Sequence, residues 1–421
     1  MIKMKYFPDV IGSNLVKHMF SFYVKCPLIR TAGIRTVTCL KSSRRAGCKQ
    51  VRVRHVSAIG SKLSMNSLLN VFNSIHCKKV VTGKRTFFTS ACCSQKTELE
   101  DLFPLRFMFI RTNVSFWEEY PEGINFDVGY VDTKLNKTTK SSNSNRNPVI
   151  VALPSSVGTH MELTETLMTF AKLGYRVVIP NLPVTKYCRG KKQEDEAVCQ
   201  LSVQEKADFV KDFLRELGIE KVDMLITNGC SVYTGVSLCV FHTSMFKSLV
   251  MINPTGLEPT KSMLPLWVHK RYTSVFDNRF ILQGLLKSIV GVCKKFTKKS
   301  HWDTLNVSTY SRTVSILSFK DEKTCAGYFK ARSIPRFAIF GENTNSFDVK
   351  STMDYLSLID IPKSAIKEID EQNKIKKEDT EYNGNYGLYI QGDGSEDILN
   401  KRTVLLRKEL INILKLVQPD L

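Results

Sequence analysis

Short apolar runs alternate with amphipathic stretches from residue 148 to the C-terminal end of the chain. The runs at 149–153 and 222–227 are rich in β-branched residues and bounded by polar residues, Gly or Pro, which is typical of strands buried on both faces. Between such runs, apolar residues recur three or four positions apart at 162–173 and 203–217, which indicates helices. This alternation predicts an α/β fold with a mostly parallel sheet and helices on both of its faces.

The remaining pattern completes the predicted domain. We expect an antiparallel pair of strands at 106–111 and 126–133, and later strands at 175–179, 248–253, 336–341 and 386–391. Helices are predicted at 349–359 and 399–417, and a capping box, Ser202 with Glu205, marks the start of the 203–217 helix. The charged stretches 187–200 and 367–384 are predicted to be a loop and an insertion. A helical cap insertion is predicted at about 254–335, with its clearest helix at 279–299.

Charge divides the chain into two regions. Residues 1–97 hold 18 Lys or Arg against one acidic residue, Asp9, whereas the rest holds 43 basic and 39 acidic residues, so most of the net charge of +21 lies in the N-terminal segment. We interpret 1–97 as a mostly disordered basic segment and 98–421 as the α/β domain. A basic, Ser-containing, acid-poor segment resembles an organelle transit region, so a mitochondrial or cytoplasmic location is expected. The alternatives are a basic arm with no specific partner and a basic arm that contacts acidic lipid or nucleic acid.

Several classes of protein are disfavoured by what the sequence lacks. Basic and aromatic residues do not combine in a nucleic-acid-binding motif, so no nucleic-acid partner is expected. There is no run of 18 apolar residues and no secretory signal, so we expect neither a transmembrane helix nor secretion. The twelve cysteines show no C-x-x-C pair and no zinc-type Cys/His spacing, which favours free thiols and no bound metal. No cofactor is expected.

The most informative stretch joins the 222–227 strand to the following helix. The strand meets a turn at Asn228 and Gly229 and passes directly into a helix near Ser231. Residues 229–233 read Gly-Cys-Ser-Val-Tyr, which is similar to the G-x-S-x-G nucleophile elbow of α/β hydrolases except at the last position. Because a small residue is usual there, we expect Tyr233 to swing its ring out or to crowd Ser231.

The order of elements over about residues 103–417 resembles the α/β-hydrolase superfamily. It includes the elbow strand, the cap insertion, a strand that ends in Gly-Glu-Asn at 341–343, and a final strand and helix. A closer likeness is to an uncharacterised branch of that superfamily best represented in worms. This likeness is carried by Gly-Thr-His at 158–160 and by Asn-Pro-Thr-Gly-Leu at 253–257.

The resemblance implies positions for a nucleophile and an oxyanion hole. The nucleophile position maps to Ser231. The hole would use the backbone N–H of Val232 and a second N–H after the first crossover strand. Pro154 has no N–H, so Ser155 or Ser156 is the expected second donor.

The acid and base positions depart from the superfamily pattern. Thr344 stands where the acid is expected; Asp348 is a weak acid candidate and otherwise a helix N-cap. Ser395 stands where the histidine belongs, and all seven histidines precede residue 302. His160, in the first crossover loop, is a candidate ligand contact or a hydrogen-bonded loop residue.

Two functions remain open on these residues. The first is a catalytically inactive α/β-hydrolase-fold protein that serves as a binding or scaffold module, with a small apolar or ester-like ligand as the expected partner. The alternative is a serine hydrolase acting on carboxylic esters or lipid esters with a non-standard base, such as His269 or His301. The basic helix at 279–299 is read as part of the cap, or else as a surface for anionic membranes.

Overall fold

The computed structural model describes residues 102–114, 117, 120–133, 148–191, 193–258, six positions between 266 and 274, 304–342, 348–370, 372, 374–377, 384–392 and 395–418. The predictions made for the basic segment 1–97 and for the cap helix 279–299 lie outside these residues.

The described residues form the alternating elements that the sequence predicts. In chain order the strands are β1 (Leu105–Thr112), β2 (Ile124–Asp132), β3 (Val149–Leu153), β4 (Arg176–Pro180), β5 (Cys188–Gly190), β6 (Met224–Asn228), β7 (Leu249–Ile252), β8 (Arg336–Gly341), β9 (Ile366–Ile369), β10 (Ile375–Lys377) and β11 (Tyr386–Ile390). The helices are α1 (Met161–Lys172), α2 (Gln193–Val198), α3 (Val203–Glu216), α4 (Ser231–Phe241), α5 (Thr304–Ile316), α6 (Phe319–Lys330), α7 (Val349–Leu358), α8 (Ser395–Lys401) and α9 (Thr403–Val417).

These strands form one mixed sheet in the order β1-β2-β4-β3-β6-β7-β8-β11-β9-β10, and β5 pairs with β2. The pairs from β4 through β3, β6, β7, β8 and β11 to β9 are parallel, and the pairs of β1, β2, β5 and β10 are antiparallel. The prediction of a mostly parallel sheet with an antiparallel start is confirmed. In such a sheet the carboxyl ends of the parallel strands share one edge, which is where ligands bind in open α/β folds.

Each face of the sheet has its own apolar core. Along β3, Val149, Val151 and Leu153 contribute to the core under α3, α4, α6 and α7, and Ile150 and Ala152 contribute to the core under α1 and α9. Alternate side chains of a strand point to opposite faces, so a strand covered on both sides must be apolar throughout. This is why β3 and β6 read as continuous apolar runs in the sequence.

The start of α3 is fixed by the predicted capping box. The Ser202 hydroxyl accepts from the Glu205 backbone N–H at 3.2 Å, and the Glu205 carboxylate accepts from the Ser202 backbone N–H at 2.8 Å. The same carboxylate accepts from the indole N–H of Trp117 at 2.8 Å. The Glu205 side chain thus caps the N-terminus of α3 and ties this helix to the segment between β1 and β2.

Two stretches predicted to lack regular structure contain short elements. The loop predicted at 187–200 contains β5 and α2, and the insertion predicted at 367–384 begins with β9 and contains β10. In β9, which lies next to the edge strand β10, Ile366 and Ile369 are buried while the charged residues between them are partly exposed. A high density of charged residues therefore does not exclude short strands near the edge of this sheet.

In the part of the chain that the structure describes, no helix is both long enough and apolar enough to cross a membrane.

Candidate functional site

In the turn between β6 and α4, the residue with a left-handed backbone conformation is Gly229. β6 ends at Asn228, Gly229 has a φ of +58°, Cys230 has a φ of −65°, and Ser231 is the first residue of α4. A nucleophile elbow carries its nucleophile on the strained residue at the tip of the strand-to-helix turn. Gly229 lies at that tip here, and Ser231 lies two positions further on, in the first turn of the helix.

The Ser231 side chain is buried and engaged. Its exposed fraction is 1%, and its hydroxyl donates to the carbonyl oxygen of Pro154. A serine hydroxyl has one proton to donate, so this contact uses the proton that a catalytic base would have to accept. Among the described residues no histidine ring is hydrogen-bonded to this hydroxyl.

Ser155, one of the two predicted oxyanion-hole donors, lies beside the elbow tip. A Cβ placed on Gly229 would lie 3.7 Å from the Ser155 Cβ. The backbone N–H of Ser155 donates to the Glu162 carboxylate at 3.0 Å, and the Ser155 hydroxyl donates to the other carboxylate oxygen at 2.9 Å. The side-chain amide of Asn228 donates to the same carboxylate at 3.2 Å. A carboxylate therefore occupies the Ser155 N–H, one of the two backbone donors that an oxyanion hole would need.

Gly158 makes room for this carboxylate. A Cβ at Gly158 would lie 2.0 Å from a carboxylate oxygen of Glu162, so a side chain there would push the carboxylate out of this position. The Gly-Thr-His segment singled out in the sequence thus begins with a glycine that the Glu162 side chain requires.

The other predicted oxyanion residues have different surroundings. The Val232 N–H donates to the Gly229 carbonyl at 3.2 Å, within the turn itself. Ser156 is 6% exposed and lines a cavity next to the elbow.

Tyr233 is turned into the protein. Its side chain is 2% exposed, its hydroxyl donates to the Gly256 carbonyl, and its ring packs edge-on against Tyr355 with centroids 6.0 Å apart. Neither of the two expected positions for this ring, swung outward or crowding Ser231, describes it. The close approach of α4 to β6 is provided by Gly235, where a Cβ would lie 2.5 Å from Cγ2 of Thr227.

The loops after β8 and β11, which hold the acid and base in the superfamily, are joined by a carboxylate. The Glu342 side chain accepts from the Gly392 backbone N–H at 3.0 Å. Asp348 is exposed and caps α7, accepting from the Lys350 N–H at 3.3 Å, so the structure gives it the N-cap role. Thr344 lies outside the described residues.

His160 is held within the first crossover loop. It is 7% exposed, its backbone N–H donates to the Asn181 side-chain oxygen at 3.0 Å, and its Nδ1 lies 3.1 Å from the Asn181 side-chain nitrogen. Its ring packs edge-on against Tyr187 at 5.2 Å. Burial lowers the pKa of His160, which favours the neutral ring. These contacts give it a positioning role in the loop.

His269, the proposed non-standard base, has a different partner. Its Nδ1 lies 3.3 Å from the Ser311 hydroxyl oxygen, and its ring packs edge-on against Tyr310 at 5.6 Å. Burial lowers the pKa of His269. His301 lies outside the described residues.

A cavity of about 380 Å³ adjoins the elbow, between α3 and α4 and beneath α5 and α6. Ser156 from the first crossover loop and Cys230 from the elbow line it, together with Lys206 from α3 and Glu322 from α6. Lys206 is 3% exposed, and burial lowers its pKa to about 8. Burial and then the Asp321 charge raise the pKa of Glu322 to about 7.

Sequence reasoning missed Glu162, Lys206 and Glu322. Lys206 carried a usable signal, because it lies three, four and seven residues before Phe209, Val210 and Phe213 and therefore on the apolar face of α3. Glu162 carried none, because an acidic residue in the first turn of a helix is ordinarily explained by the helix dipole. Across the described residues, no three His, Cys, Asp or Glu side chains are grouped as a metal site requires.

The fold and the elbow at the carboxyl end of β6 define an α/β-hydrolase-fold protein. The chain belongs to the family described as alpha/beta hydrolase of unknown function (DUF1057), which matches residues 110–354. The matched span includes the elbow, Glu162 and the cavity. No curated protein matches the chain.

Solved structures share this fold at low sequence identity. The lip1 protein, a lipase candidate from Acinetobacter baumannii, is 11% identical with a TM-score of 0.50, covering 80% of this chain and 100% of that one. The enol-lactonase of Burkholderia xenovorans is 11% identical with a TM-score of 0.46, covering 69% and 97%. The meta-cleavage product hydrolase of Pseudomonas fluorescens is 12% identical with a TM-score of 0.45, covering 70% and 96%.

Proposed function

We propose that this α/β-hydrolase-fold protein has lost ester hydrolysis and serves as a binding module for a small apolar ligand. The observation that carries the proposal is the glycine at the elbow tip. Gly229 occupies the left-handed position from which a nucleophile would be presented, and it has no side chain to present.

The oxyanion hole supports the same proposal. Ser155 donates both its N–H and its hydroxyl to Glu162, so an oxyanion there would have to displace a carboxylate or lie beside it. Two unit negative charges about 4 Å apart repel by roughly 4 kcal/mol at an effective dielectric constant of about 20. A hydrolase instead needs hydrogen-bond donors that stabilise the negative charge of the oxyanion at this position.

The missing base adds to these two losses. No histidine follows residue 301, so the loop after β11 contains none. Loss of the triad histidine lowers turnover by about 10⁶-fold in a well-studied serine protease. Oxyanion binding alone retains about 10³ to 10⁴ over water in such enzymes, and here that part is also compromised.

The alternative function is a serine hydrolase for carboxylic or lipid esters in which Ser231 is the nucleophile and a cap histidine is the base. It requires the Ser231 hydroxyl to leave the Pro154 carbonyl and to meet an imidazole. Turnover of p-nitrophenyl butyrate and octanoate separates the two functions. We expect the wild-type rate to equal that of Ser231→Ala and of Ser237→Ala, a second buried serine of α4. A rate above background that disappears in Ser231→Ala alone would establish the hydrolase.

We further propose that the basic segment 1–97 directs the protein to mitochondria. Its content of 18 basic residues against one acidic residue supports this. A fluorescent reporter fused to residues 1–97 should colocalise with mitochondria, and a matched segment with its Lys and Arg changed to Gln should not. Diffuse cytosolic signal from the unmodified fusion would refute this proposal.

A further inference from the structure

We propose that the cavity beneath α5 and α6 binds the carboxylate of a small apolar acid, with the Lys206 ammonium as the partner of the acid's head group. This inference rests on the proposed function and deepens it by naming the site and the ligand class. It depends on three features that lie together: a buried lysine, an ammonium group for which the described residues supply one hydrogen-bond acceptor, and an apolar cavity.

Lys206 is buried, and the charge of the neighbouring Glu205 offsets the desolvation of its ammonium only in part. Its side chain is 3% exposed, and no described Asp or Glu forms an ion pair with it. Its Nζ donates to the Thr313 hydroxyl at 3.0 Å. An ammonium group has three donors, and burying a charge is costly unless it is paired. The site is therefore electrostatically incomplete without an anion.

The neighbouring acidic residue, Glu205, forms no ion pair with this ammonium and is hydrogen-bonded elsewhere. The Glu205 carboxylate accepts from the Trp117 indole N–H at 2.8 Å and from the Gln200 and Ser202 backbone N–H groups at 3.1 and 2.8 Å. These three donors hold Glu205 at the start of α3. The charge on Lys206 consequently remains available to a ligand.

The cavity fits an acid with an apolar body. Its volume of about 380 Å³ lies within the range of small-molecule sites, roughly 300–1,000 Å³. Besides Lys206, its walls include the apolar side chains of Leu201, Val314, Ile316, Leu317 and Phe241. A carboxylate against Lys206 would place an attached alkyl chain along these side chains.

Glu322 limits the ligand to a single negative charge. It lines the same cavity from α6 and is 8% exposed. A second carboxylate near Glu322 would bring two acidic groups together in a buried space, which is unfavourable for the ionised forms. Monocarboxylates are therefore preferred over dicarboxylates.

Isothermal titration of the full chain at pH 7 tests this proposal with decanoate, decanol and decanedioate as probes. We expect decanoate to bind at least about tenfold more tightly than decanol, since a charged hydrogen bond contributes about 1.5–3 kcal/mol. Affinity should rise about fourfold per methylene from hexanoate to decanoate, because each buried methylene contributes about 0.8 kcal/mol. Equal affinity for decanoate and decanol, or no binding of either, would overturn the proposal.

A variant pair locates the head group. Lys206→Met should reduce decanoate affinity at least about tenfold and leave decanol affinity within about threefold. Lys211→Met, on the same helix but paired with Asp208 and Asp212, should change neither. Unchanged decanoate affinity in Lys206→Met would refute the assignment. If Lys206→Met does not fold, the comparison of decanoate with decanol in the wild-type chain still tests whether the site binds a carboxylate.

These measurements are separable from the test of hydrolysis. Decanoate binding together with ester turnover that requires Ser231 would leave the site standing and refute the non-hydrolytic function. Absence of both would refute the site alone.

Discussion

Glu162 accepts hydrogen bonds from both the backbone N–H and the hydroxyl of Ser155, at 3.0 and 2.9 Å. This pair places an acidic side chain of the first crossover helix where the fold would otherwise offer donors to an oxyanion. The contact also explains Gly158, whose hydrogen leaves the space that the carboxylate fills. The Ser155–Glu162 contact therefore ties the first crossover loop to the start of α1 beside the elbow.

The first prediction concerns this pair. Glu162→Gln should lower the free energy of unfolding by about 1–2 kcal/mol, since it weakens charged hydrogen bonds and removes an acid from the first turn of α1. Glu165→Gln, exposed on the same helix, should change stability by less than about 0.5 kcal/mol. Urea denaturation measures both. Equal effects would mean that the Ser155 contact contributes no stability.

The second prediction concerns the elbow tip. Gly229→Ala should destabilise the protein by roughly 1–2 kcal/mol because alanine is strained at a φ of +58°. A Cβ there has only an ordinary 3.7 Å contact, so the effect isolates backbone strain. Gly327→Ala, exposed on α6 with nothing nearby, should stabilise by roughly 0.5–1 kcal/mol. Thermal unfolding shifts of the same sign in both variants would contradict the assignment of Gly229 as the strained residue.

The third prediction concerns the packing of α4 on β6. Gly235→Ala should cost about 1–3 kcal/mol because its Cβ would meet Thr227 Cγ2 at 2.5 Å. Thr227→Ser removes that methyl group, so we expect the two substitutions to be less costly together than the sum of their separate effects. Strict additivity in a double-mutant cycle would show that helix and strand can move apart here.

The fourth prediction concerns stability and pH. Because burial lowers the pKa of Lys206 from 10.5 to about 8, the unfolded chain binds more protons than the folded chain between these pH values. The free energy of unfolding of the wild type therefore rises with pH between about 8 and 10.5. Below pH 8 the full cost of burying the charged Lys206 ammonium is present. The charged and titratable groups near its ammonium are Glu205, Cys199 and Cys230.

Lys206→Met removes this penalty. In ligand-free protein it should be more stable than wild type by about 1–3 kcal/mol at pH 7, and the difference should shrink towards pH 10. Denaturant unfolding at several pH values measures this. A variant less stable than wild type at pH 7 would mean that the ammonium is compensated in the folded state.

The sequence predicted the parallel core more accurately than the edges and the site. β3 and β8 match their predicted bounds, because strands covered on both faces must be continuously apolar. At the elbow, the pattern Gly-x-Ser pointed to Ser231, but the backbone puts its left-handed residue at Gly229. That choice depends on where β6 ends, and a one-dimensional pattern does not fix strand ends within two residues.

The Lys206 cavity was beyond the reach of that reasoning for a different reason. Its walls come from α3, α4, α5 and α6, and the first and last of these helices, Val203–Glu216 and Phe319–Lys330, are more than a hundred residues apart along the chain. A lysine on an apolar helix face can extend its ammonium to solvent or remain buried, and only tertiary packing decides between the two.

The central claim is that this elbow presents no nucleophile. Incubation of the full chain with a fluorophosphonate probe, followed by intact-mass and peptide mass spectrometry, tests it most directly. We predict no mass increase in the wild type, even in excess probe over hours, while an active serine hydrolase in the same tube is labelled to completion. Stoichiometric labelling at Ser231 that is lost in Ser231→Ala would contradict the account.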